Sequence, residues 1–501
     1  MIRPTFYGME IAKTGLYMSQ LGMDVTAHNI ANVDTPGYTR QRVITQSIDP
    51  YNALYRLKPL NTYKVGGGVE LKILDQIRDD FLDLQYRNEQ SNYSLWATRA
   101  QGLRYIEPLY DEFSGGGALR VAISKLFDAF DELTRNPSDQ EPREVTREEA
   151  RSLIMAFQST YDGLAEQREF QNQAVKCTAD EINRLAEQIT MLNQTIRNYE
   201  YENPMHMAND LRDKRNLLID QLSALIDIDY TQDNGYVNIS TAGGLNLVDG
   251  LNVNKIRYDL VADDYTGDAD SYYELYLYDS NGVRTVLNMD NVKGGEMAGH
   301  LQLRDNKDAA DPGIIYFMEQ LNILAGSIVE EINAIHAKGW TFPGSINGAP
   351  LVSHSGVNFF ADFTDIRTFS LSEDIKESVW NIACSSEEII LLDPLTAKGG
   401  NNEIALQLAE LVDTSNFLNF MTAVTVQVAD AINKANNAGQ NLAANLLNID
   451  NNRTSIGGVS LDEEMTNMIK YQHSYDANAR MITTMDEMLE TLINRTGVVG
   501  R

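Results

Sequence analysis

The chain of 501 residues contains only two cysteines, Cys177 and Cys384, and 12 prolines. Two cysteines exclude a disulfide scaffold and a zinc site with several cysteine ligands, and we expect both to be small buried apolar residues. No segment approaches the roughly 20 consecutive apolar residues that cross a bilayer, so no membrane insertion is expected. Glu10, Lys13 and Asp24 interrupt the first segment. It therefore lacks the apolar block of a cleaved secretory signal peptide.

Basic residues are scarce, because 41 Lys and Arg face 71 Asp and Glu and give a formal charge of −30. This excess of negative charge repels phosphate groups, so neither nucleic acid nor an anionic membrane is expected as a partner. A hydrophobic content of 43% is sufficient for packed cores and excludes chain-wide disorder. The length is too great for one core, so several domains are expected.

Residue patterns typical of catalysis or metal binding are also missing. The six histidines form no H-E-x-x-H pair, and His28 is better interpreted as a polar residue at a helix end than as a base. The acidic run at 259–270 lacks the spacing of a calcium loop, and the glycines at 66–68 and 115–117 lack the Lys of a phosphate loop. The tyrosines at 272–278 favour sheet packing over carbohydrate binding. We predict no catalytic residue, no metal site and no cofactor.

The residue pattern at both ends of the chain predicts long helices with apolar stripes. In the first thirty residues two offset stripes recur every seven residues, which predicts contacts on two sides. Near the other end, Leu461, Met468, Tyr475, Ile482 and Leu489 follow the same seven-residue spacing. If the two helices pair with each other, the second apolar face of each remains exposed to solvent. We therefore expect these ends to be ordered mainly when other subunits cover them. An ordinary core within one chain remains the alternative for the C-terminal stripe.

The middle of the chain alternates between helical and strand patterns. A 3/4 spacing from about 143 to 199 predicts one or two very long helices. Period-two runs within 231–295, with Asn-Gly pairs typical of hairpin turns, predict a small antiparallel insertion. The predicted fold is mainly α with β insertions: terminal helices pairing as a coiled-coil-like inner domain, a helical-bundle middle domain and small antiparallel β outer domains. The predicted domains are an inner axial helical domain (1–38 and 459–501), a helical middle domain (39–230, 296–339 and 401–458), a β-rich insertion (231–295) and a mixed β/turn insertion (340–400).

Two terminal motifs carry a family resemblance. The run Asn29–Gln41, read N-I-A-N-V-D-T-P-G-Y-T-R-Q, resembles the N-terminal signature of flagellar rod, hook and hook-associated proteins. The run Ser460–Leu489 is similar to their C-terminal segment, and stretches at 299–305 and 321–339 resemble the helical domain of the flagellar hook-associated protein 1 family (FlgK). The motif and turn residues that carry the first match are Asn29, Asn32, Thr35, Pro36, Gly37, Tyr38 and Arg40.

The resemblance implies a structural subunit between the flagellar hook and filament, located outside the cell. It also implies export by the flagellar type III apparatus without a cleaved signal. The implied partners are copies of the chain itself, the hook protein below, a second hook-associated protein above and an export chaperone at the C-terminal helix. The residues expected at subunit interfaces are Ile11, Leu16, Met18, Leu21, Met23, Val25, Ile30, Leu461, Met465, Met468, Tyr475, Ile482, Met485, Leu489 and Leu492.

Three alternatives stay open. One is a hook or rod protein, which the long helices at 143–226 disfavour. Another is a secreted adhesin or enzyme carried on the flagellum, with its activity in 231–295 or 340–400. The third is a free cytoplasmic coiled-coil oligomer.

Overall fold

The computed structural model describes residues 7–48, 66–110, 118–202, 207–233, 235–263, 265, 271–278, 282–343, 352–389 and 401–495. The protein is mainly α-helical with small antiparallel sheets, which confirms the predicted fold class.

The helices in chain order are α1 (Tyr7–Ala31), α2 (Asp80–Tyr110), α3 (Ala118–Arg135), α4 (Gln140–Glu202), α5 (Asn209–Leu225), α6 (Gly295–Asp305), α7 (Ile314–His336), α8 (Glu373–Glu377), α9 (Glu403–Thr414), α10 (Phe417–Gly457) and α11 (Leu461–Arg495). The strands are β1 (Gln41–Ser47), β2 (Val69–Gln76), β3 (Ile228–Asp233), β4 (Tyr236–Thr241), β5 (Asn246–Asp249), β6 (Asn252–Val253), β7 (Arg257–Val261), β8 (Tyr272–Tyr278) and β9 (Arg284–Leu287). Their sheets are antiparallel, with orders β1-β2, β3-β4-β5-β6 and β7-β8-β9.

The long seam predicted near 143–199 is one continuous helix, α4, of 63 residues. Its apolar residues at 3/4 spacing serve two cores: Phe157 and Leu164 pack in the first, and Val175 and Ile182 in the second. Cys177 lies on the outward face of α4 and is exposed, so its predicted burial is wrong, whereas Cys384 is buried. The period of the stripe fixes which residues face inward, and position 177 falls between the buried positions.

The first core lies among α3, α4, α7, α9 and α10, and the described part of the turn-rich segment at 340–400 packs into it. Phe359, Phe360 and Phe369 of that segment are almost fully buried in this core. His336 fixes the segment, because Ala383 N donates to its Nε2 at 2.8 Å and its Nδ1 lies 2.7 Å from the Val357 carbonyl. Burial lowers the pKa of His336 to about 4, so this histidine is neutral and structural.

The second core joins α4, α5 and α6 to the two larger sheets. The strands run from Ile228 to Leu287. Alternate strand residues, such as Val237 and Ile239, point into this core, as period-two patterning requires. Gly235 and Gly282 have φ of 86° and 79°, the positive values that Asn-Gly turns need. The preceding Asn234 and Asn281 lie outside the described residues.

Candidate functional site

The two terminal helices, α1 and α11, pack against each other in antiparallel fashion. On α1 the contact line consists of small residues spaced by seven, and on α11 it consists of larger residues with the same spacing. The facing pairs are Gly8 with Met485, Gly15 with Asn478, Gly22 with Tyr471, and Asn29 with Glu464. We call this contact line the glycine seam.

The glycines let α11 lie directly on the backbone of α1. A Cβ built on Gly22 would stand 2.6 Å from the Tyr471 ring, and one on Gly15 would stand 2.8 Å from the Asn478 amide. A second row of small residues, also spaced by seven, completes the seam, and its members Ala12, Ser19 and Thr26 are buried. Sequence reasoning followed the apolar residues and missed this row, although the seven-residue spacing of small residues was the signal that would have found it.

The predicted interface residues divide into two groups in the structure. Val25 is buried, and most of the others are half-buried next to the seam, namely Ile11, Leu16, Met18, Leu21, Met23, Ile30, Met468, Tyr475, Ile482, Met485 and Leu489. Leu461, Met465 and Leu492 are exposed. The half-buried part of the C-terminal stripe thus has a partner within the chain, and contact with other subunits remains a prediction for both groups.

Asn29 is the centre of a buried polar anchor at one end of the seam. Its Nδ2 donates to the Gln41 carbonyl at 2.9 Å and to Glu464 Oε2 at 3.0 Å. Its Oδ1 accepts from Tyr38 Oη at 2.7 Å and from Gln41 N at 3.0 Å. Both donors and both acceptor positions of the amide are therefore used, which accounts for an asparagine that is only 1% exposed.

Glu464 carries the partner charge of this anchor. The carboxylate is 2% exposed, and its Oε1 accepts from Arg40 Nε at 2.7 Å. The same guanidinium reaches Glu463 at 2.6 Å through Nη1. The Arg40 backbone also takes part, because its N donates to the Gly457 carbonyl at 2.9 Å. A single arginine thus ties the start of α11 to the chain that leaves α1.

The same segment is bound on its other side by α5. Gln41 Nε2 donates to Asp210 Oδ1 at 2.8 Å, and Thr39 N donates to Asp213 Oδ2 at 3.0 Å. Burial raises the pKa of Asp213 to about 6, because its interior site disfavours the charged form. Residues 39–41 therefore link the terminal helix pair to the helical body.

The turn that follows α1 holds its shape by local hydrogen bonds. Thr35 Oγ1 donates to Asn32 Oδ1 at 3.1 Å, and Tyr38 N donates to the Thr35 carbonyl at 3.1 Å. Gly37 adopts φ of 76°, which a residue with a side chain rarely adopts. Pro36 is exposed, and His28 lies 3.4 Å from Asp210 with its ring edge-on to Tyr38. The motif residues therefore form one continuous structural unit.

Below the anchor, an ion-pair network holds α2, α5 and α10 together. Arg453 Nε and Nη2 each lie 2.8 Å from a carboxylate oxygen, on Asp83 and on Asp220. Arg87, which is 1% exposed, donates to Asp220 at 2.7 Å. A cleft of about 720 Å³ lies between this network and the turn after α1. The end of the helical body that faces the helix pair is therefore held together by buried ion pairs.

Side chains that the sequence suggests as candidates for metal or carbohydrate binding have local partners where the structure describes them. Asp263 pairs with Arg168, Asp259 lies 3.4 Å from Arg284, and Tyr272 is covered by the Arg304 guanidinium at 4.0 Å. Residues 115–117 and three of the aspartates at 259–270 lie outside the described residues. Within the described ranges, no group of three or more His, Cys, Asp or Glu is placed to hold a metal ion. No described helix combines the length and apolarity needed to cross a membrane.

Three family models match the chain. Residues 103–352 match the flagellar hook-associated protein FlgK helical domain, residues 454–495 match the flagellar basal body rod FlgEFG protein C-terminal model, and residues 9–39 match the flagella basal body rod protein model. The last two cover α11 and α1 with its turn, the parts that form the seam and the anchor. The chain belongs to the FlgK family.

Relatives of this FlgK-family chain match over nearly its full length. Flagellar hook-associated protein 1 of Bacillus subtilis is 28% identical, with 99% of each chain covered. Flagellar hook-associated protein 1 of Salmonella typhimurium is 23% identical, covering 96% of this chain and 98% of the relative. The structure of the flagellar hook junction protein FlgK from Burkholderia pseudomallei superposes with a TM-score of 0.60 and 14% identity, covering 75% of this chain and all of that one.

Proposed function

We propose that this protein is a structural subunit of the bacterial flagellum that forms the junction between hook and filament by packing against copies of itself. The observation that carries the proposal is the terminal helix pair: it is closed by the glycine seam, anchored to a rigid helical body, and still apolar on its outer surface. Family membership supports the place of assembly, because the curated relatives are hook-associated proteins.

The outer surface of α11 supports contact with further subunits. Seven large apolar side chains of this helix are between 46% and 75% exposed, an unusual density for one helix of a monomer. They are Leu461, Met465, Ile469, Met481, Met488, Leu492 and Ile493. In an assembled wall, neighbouring copies would cover these side chains and stabilise the pair by removing apolar surface from water.

The charge distribution favours the same surface. Residues 1–48 and 459–501 carry eight basic and ten acidic side chains, a formal charge of −2, so −28 of the total −30 lies in residues 49–458. Copies of the helical body repel one another, whereas copies of the helix pair approach with little repulsion. The helix pair is therefore the part best suited to close self-contact.

The export route and the neighbouring proteins are part of the same proposal. The protein acts outside the cell after type III export without a cleaved signal, between the hook protein below and a second hook-associated protein above. An export chaperone would cover the apolar surface of α11 before assembly. We assign no catalytic role and no cofactor. The long helices of the body favour a junction protein over a hook or rod protein.

Deleting residues 461–501 tests the role of α11. Both cores are built from residues outside this helix, so the truncated chain should remain folded and monomeric by circular dichroism and size-exclusion chromatography. It should fail to restore filaments in cells that lack their own copy. His473→Ala, at an exposed position of the same helix, is the control and should restore them. Filaments of normal length from the truncated chain would reject the assembly role.

Limited proteolysis of the free protein tests whether the helix pair is ordered mainly by assembly. Cuts should appear first in α1 and α11, while the body from 80 to 450 resists. Early cuts within the body, with both terminal helices intact, would contradict folding coupled to assembly.

A further inference from the structure

Five of the seven exposed apolar residues of α11 fall on two opposite flanks of the helix. The heptad positions facing α1 are Glu464, Tyr471, Asn478 and Met485. On one side of that line lies the Met465 flank, and on the other the Met481 flank. The Met465 flank consists of Asp462, Met465, Ile469, Gln472, Asp476, Ala479, Thr483, Asp486, Glu490 and Ile493. The Met481 flank consists of Glu463, Asn467, Lys470, Ser474, Ala477, Met481, Thr484, Met488 and Thr491.

Apart from Ile493, which lies alone near the end of α11 on the Met465 flank, the exposed apolar residues of the two flanks form two patches at different heights along the helix. Met465 and Ile469, one turn apart, are 58% and 53% exposed near the start of α11. Met481 and Met488, two turns apart, are 51% and 58% exposed in its second half. The midpoints of the two patches are separated by about 17 residues, which is about 26 Å of helix.

The flanks also differ in charge. The Met465 flank carries four exposed carboxylates, Asp462, Asp476, Asp486 and Glu490, and no basic residue. On the Met481 flank, Glu463 is paired with Arg40. Among the described residues of this flank, Lys470 is then the one charged side chain without an ion pair. Two copies that meet through their Met465 flanks would bring eight carboxylates together, which is unfavourable. A contact between unlike flanks avoids this repulsion.

We propose that the Met465 flank of one copy packs against the Met481 flank of the next, with the two α11 helices parallel and displaced along their axes by about 26 Å. This contact is heterologous: each copy uses one flank for one neighbour and keeps the other flank free for the next. It extends from copy to copy and does not stop at a dimer. The inference rests on the proposed function and names the surfaces that would carry it.

Cysteine cross-linking within assembled flagella tests the pairing. In a Cys177→Ser background, cells lacking their own copy would produce Met465→Cys, Met481→Cys or the double variant. Isolated flagella would be treated with a short bis-maleimide and resolved by denaturing electrophoresis. The double variant should give a ladder of dimers, trimers and larger species, whereas each single variant should remain monomeric because its cysteine faces a flank without one.

The other outcomes decide against the proposal. Dimers from either single variant would show like flanks in contact, and a double variant without cross-links would show that the two patches do not meet. His473→Cys, on the side of α11 away from both patches, is the control for chance cross-linking. If a methionine variant abolishes motility, Ile469→Cys with Met488→Cys serves as the second pair. Absence of the unmodified chain from isolated flagella would instead reject the proposed function itself.

Discussion

Asn29 and Glu464, 435 positions apart in the sequence, are joined by a buried hydrogen bond of 3.0 Å from Nδ2 to Oε2. The two residues occupy one step of the same seven-residue ladder as the glycine pairs. A slip of α11 by one heptad would place either Tyr471 against Asn29 or, in the other direction, Glu464 against Gly22. A buried polar pair of this kind fixes the register of a helix pair, because the wrong alignment leaves its groups unsatisfied.

Replacing Asn29 should loosen the helix pair without unfolding the body. Asn29→Ala removes four hydrogen bonds and leaves buried groups of Tyr38, Gln41 and Glu464 with fewer partners. Each unsatisfied buried group costs about 1–3 kcal/mol. Amide hydrogen exchange in α11 should accelerate at least tenfold, while exchange in α4 stays unchanged. Asn32→Ala, which loses only local contacts with His28 and Thr35 at a half-exposed site, is the control, and equal rates in the two variants would contradict the anchor.

A methyl group at the glycine seam should be destabilising even though it favours helix. Gly22→Ala places a Cβ 2.6 Å from Tyr471 and forces the helices apart, at an expected cost of about 1–3 kcal/mol. Gly439→Ala is the matched control, because this glycine lies within α10 and a Cβ there meets nothing within 4 Å. It should stabilise by about 0.5–1 kcal/mol. The unfolding temperature should fall for Gly22→Ala and rise for Gly439→Ala, and exchange in α11 should accelerate only for Gly22→Ala. A rise of the unfolding temperature in both variants would rule out close packing at the seam.

Asp213 should make stability depend on pH in the mildly acidic range. Its pKa in the fold, about 6, is above the ordinary 3.8, so the folded state favours the protonated carboxyl. Stability is then lost as pH rises from about 4 to about 6, by an amount on the order of 3 kcal/mol. Asp213→Asn keeps an oxygen acceptor for Thr39 N and cannot ionise. The urea midpoint of the variant, relative to the parent, should therefore rise across this range and level off above it; a constant difference would mean that Asp213 titrates normally.

Assembly should improve as ionic strength rises, because the helical body is acidic. With a formal charge of −28 in residues 49–458, neighbouring bodies repel at low salt. Since the screening length falls from about 30 Å at 0.01 M to about 10 Å at 0.1 M, added salt should promote incorporation of purified protein onto hook ends. Electron microscopy of decorated hooks at the two salt concentrations measures this. Better incorporation at low salt would show that attraction between unlike charges dominates the contact.

Periodicity in the sequence was sufficient to predict most elements. The spacing of Phe157, Leu164 and Ile182 predicts a long helix, because a stripe of that period must face a core wherever it lies. The alternation around Val237 predicts a strand for the same reason. The irregular segment around Phe359 could not be predicted in this way, since its conformation is set by the core that it enters and by His336, not by a repeat.

At the candidate site, too, the sequence could predict only part of the arrangement. The sequence places Asn29, Tyr38 and Arg40 near a turn and suggests that they act together, but it gives no sign that Glu464 is their partner. It also draws attention to the large apolar residues of α1, whereas the contact with α11 runs over glycines, whose importance lies in the side chain that they lack.

The sequence by itself determined the helical ends, the acidic body and the family, because these follow from local spacing, composition and motif. Only the tertiary structure decided which face of α11 is occupied by α1 and which flanks remain open, because that choice depends on the register of two segments more than four hundred residues apart. The register in turn is set by where a bulky side chain finds a glycine and a buried carboxylate finds its donors.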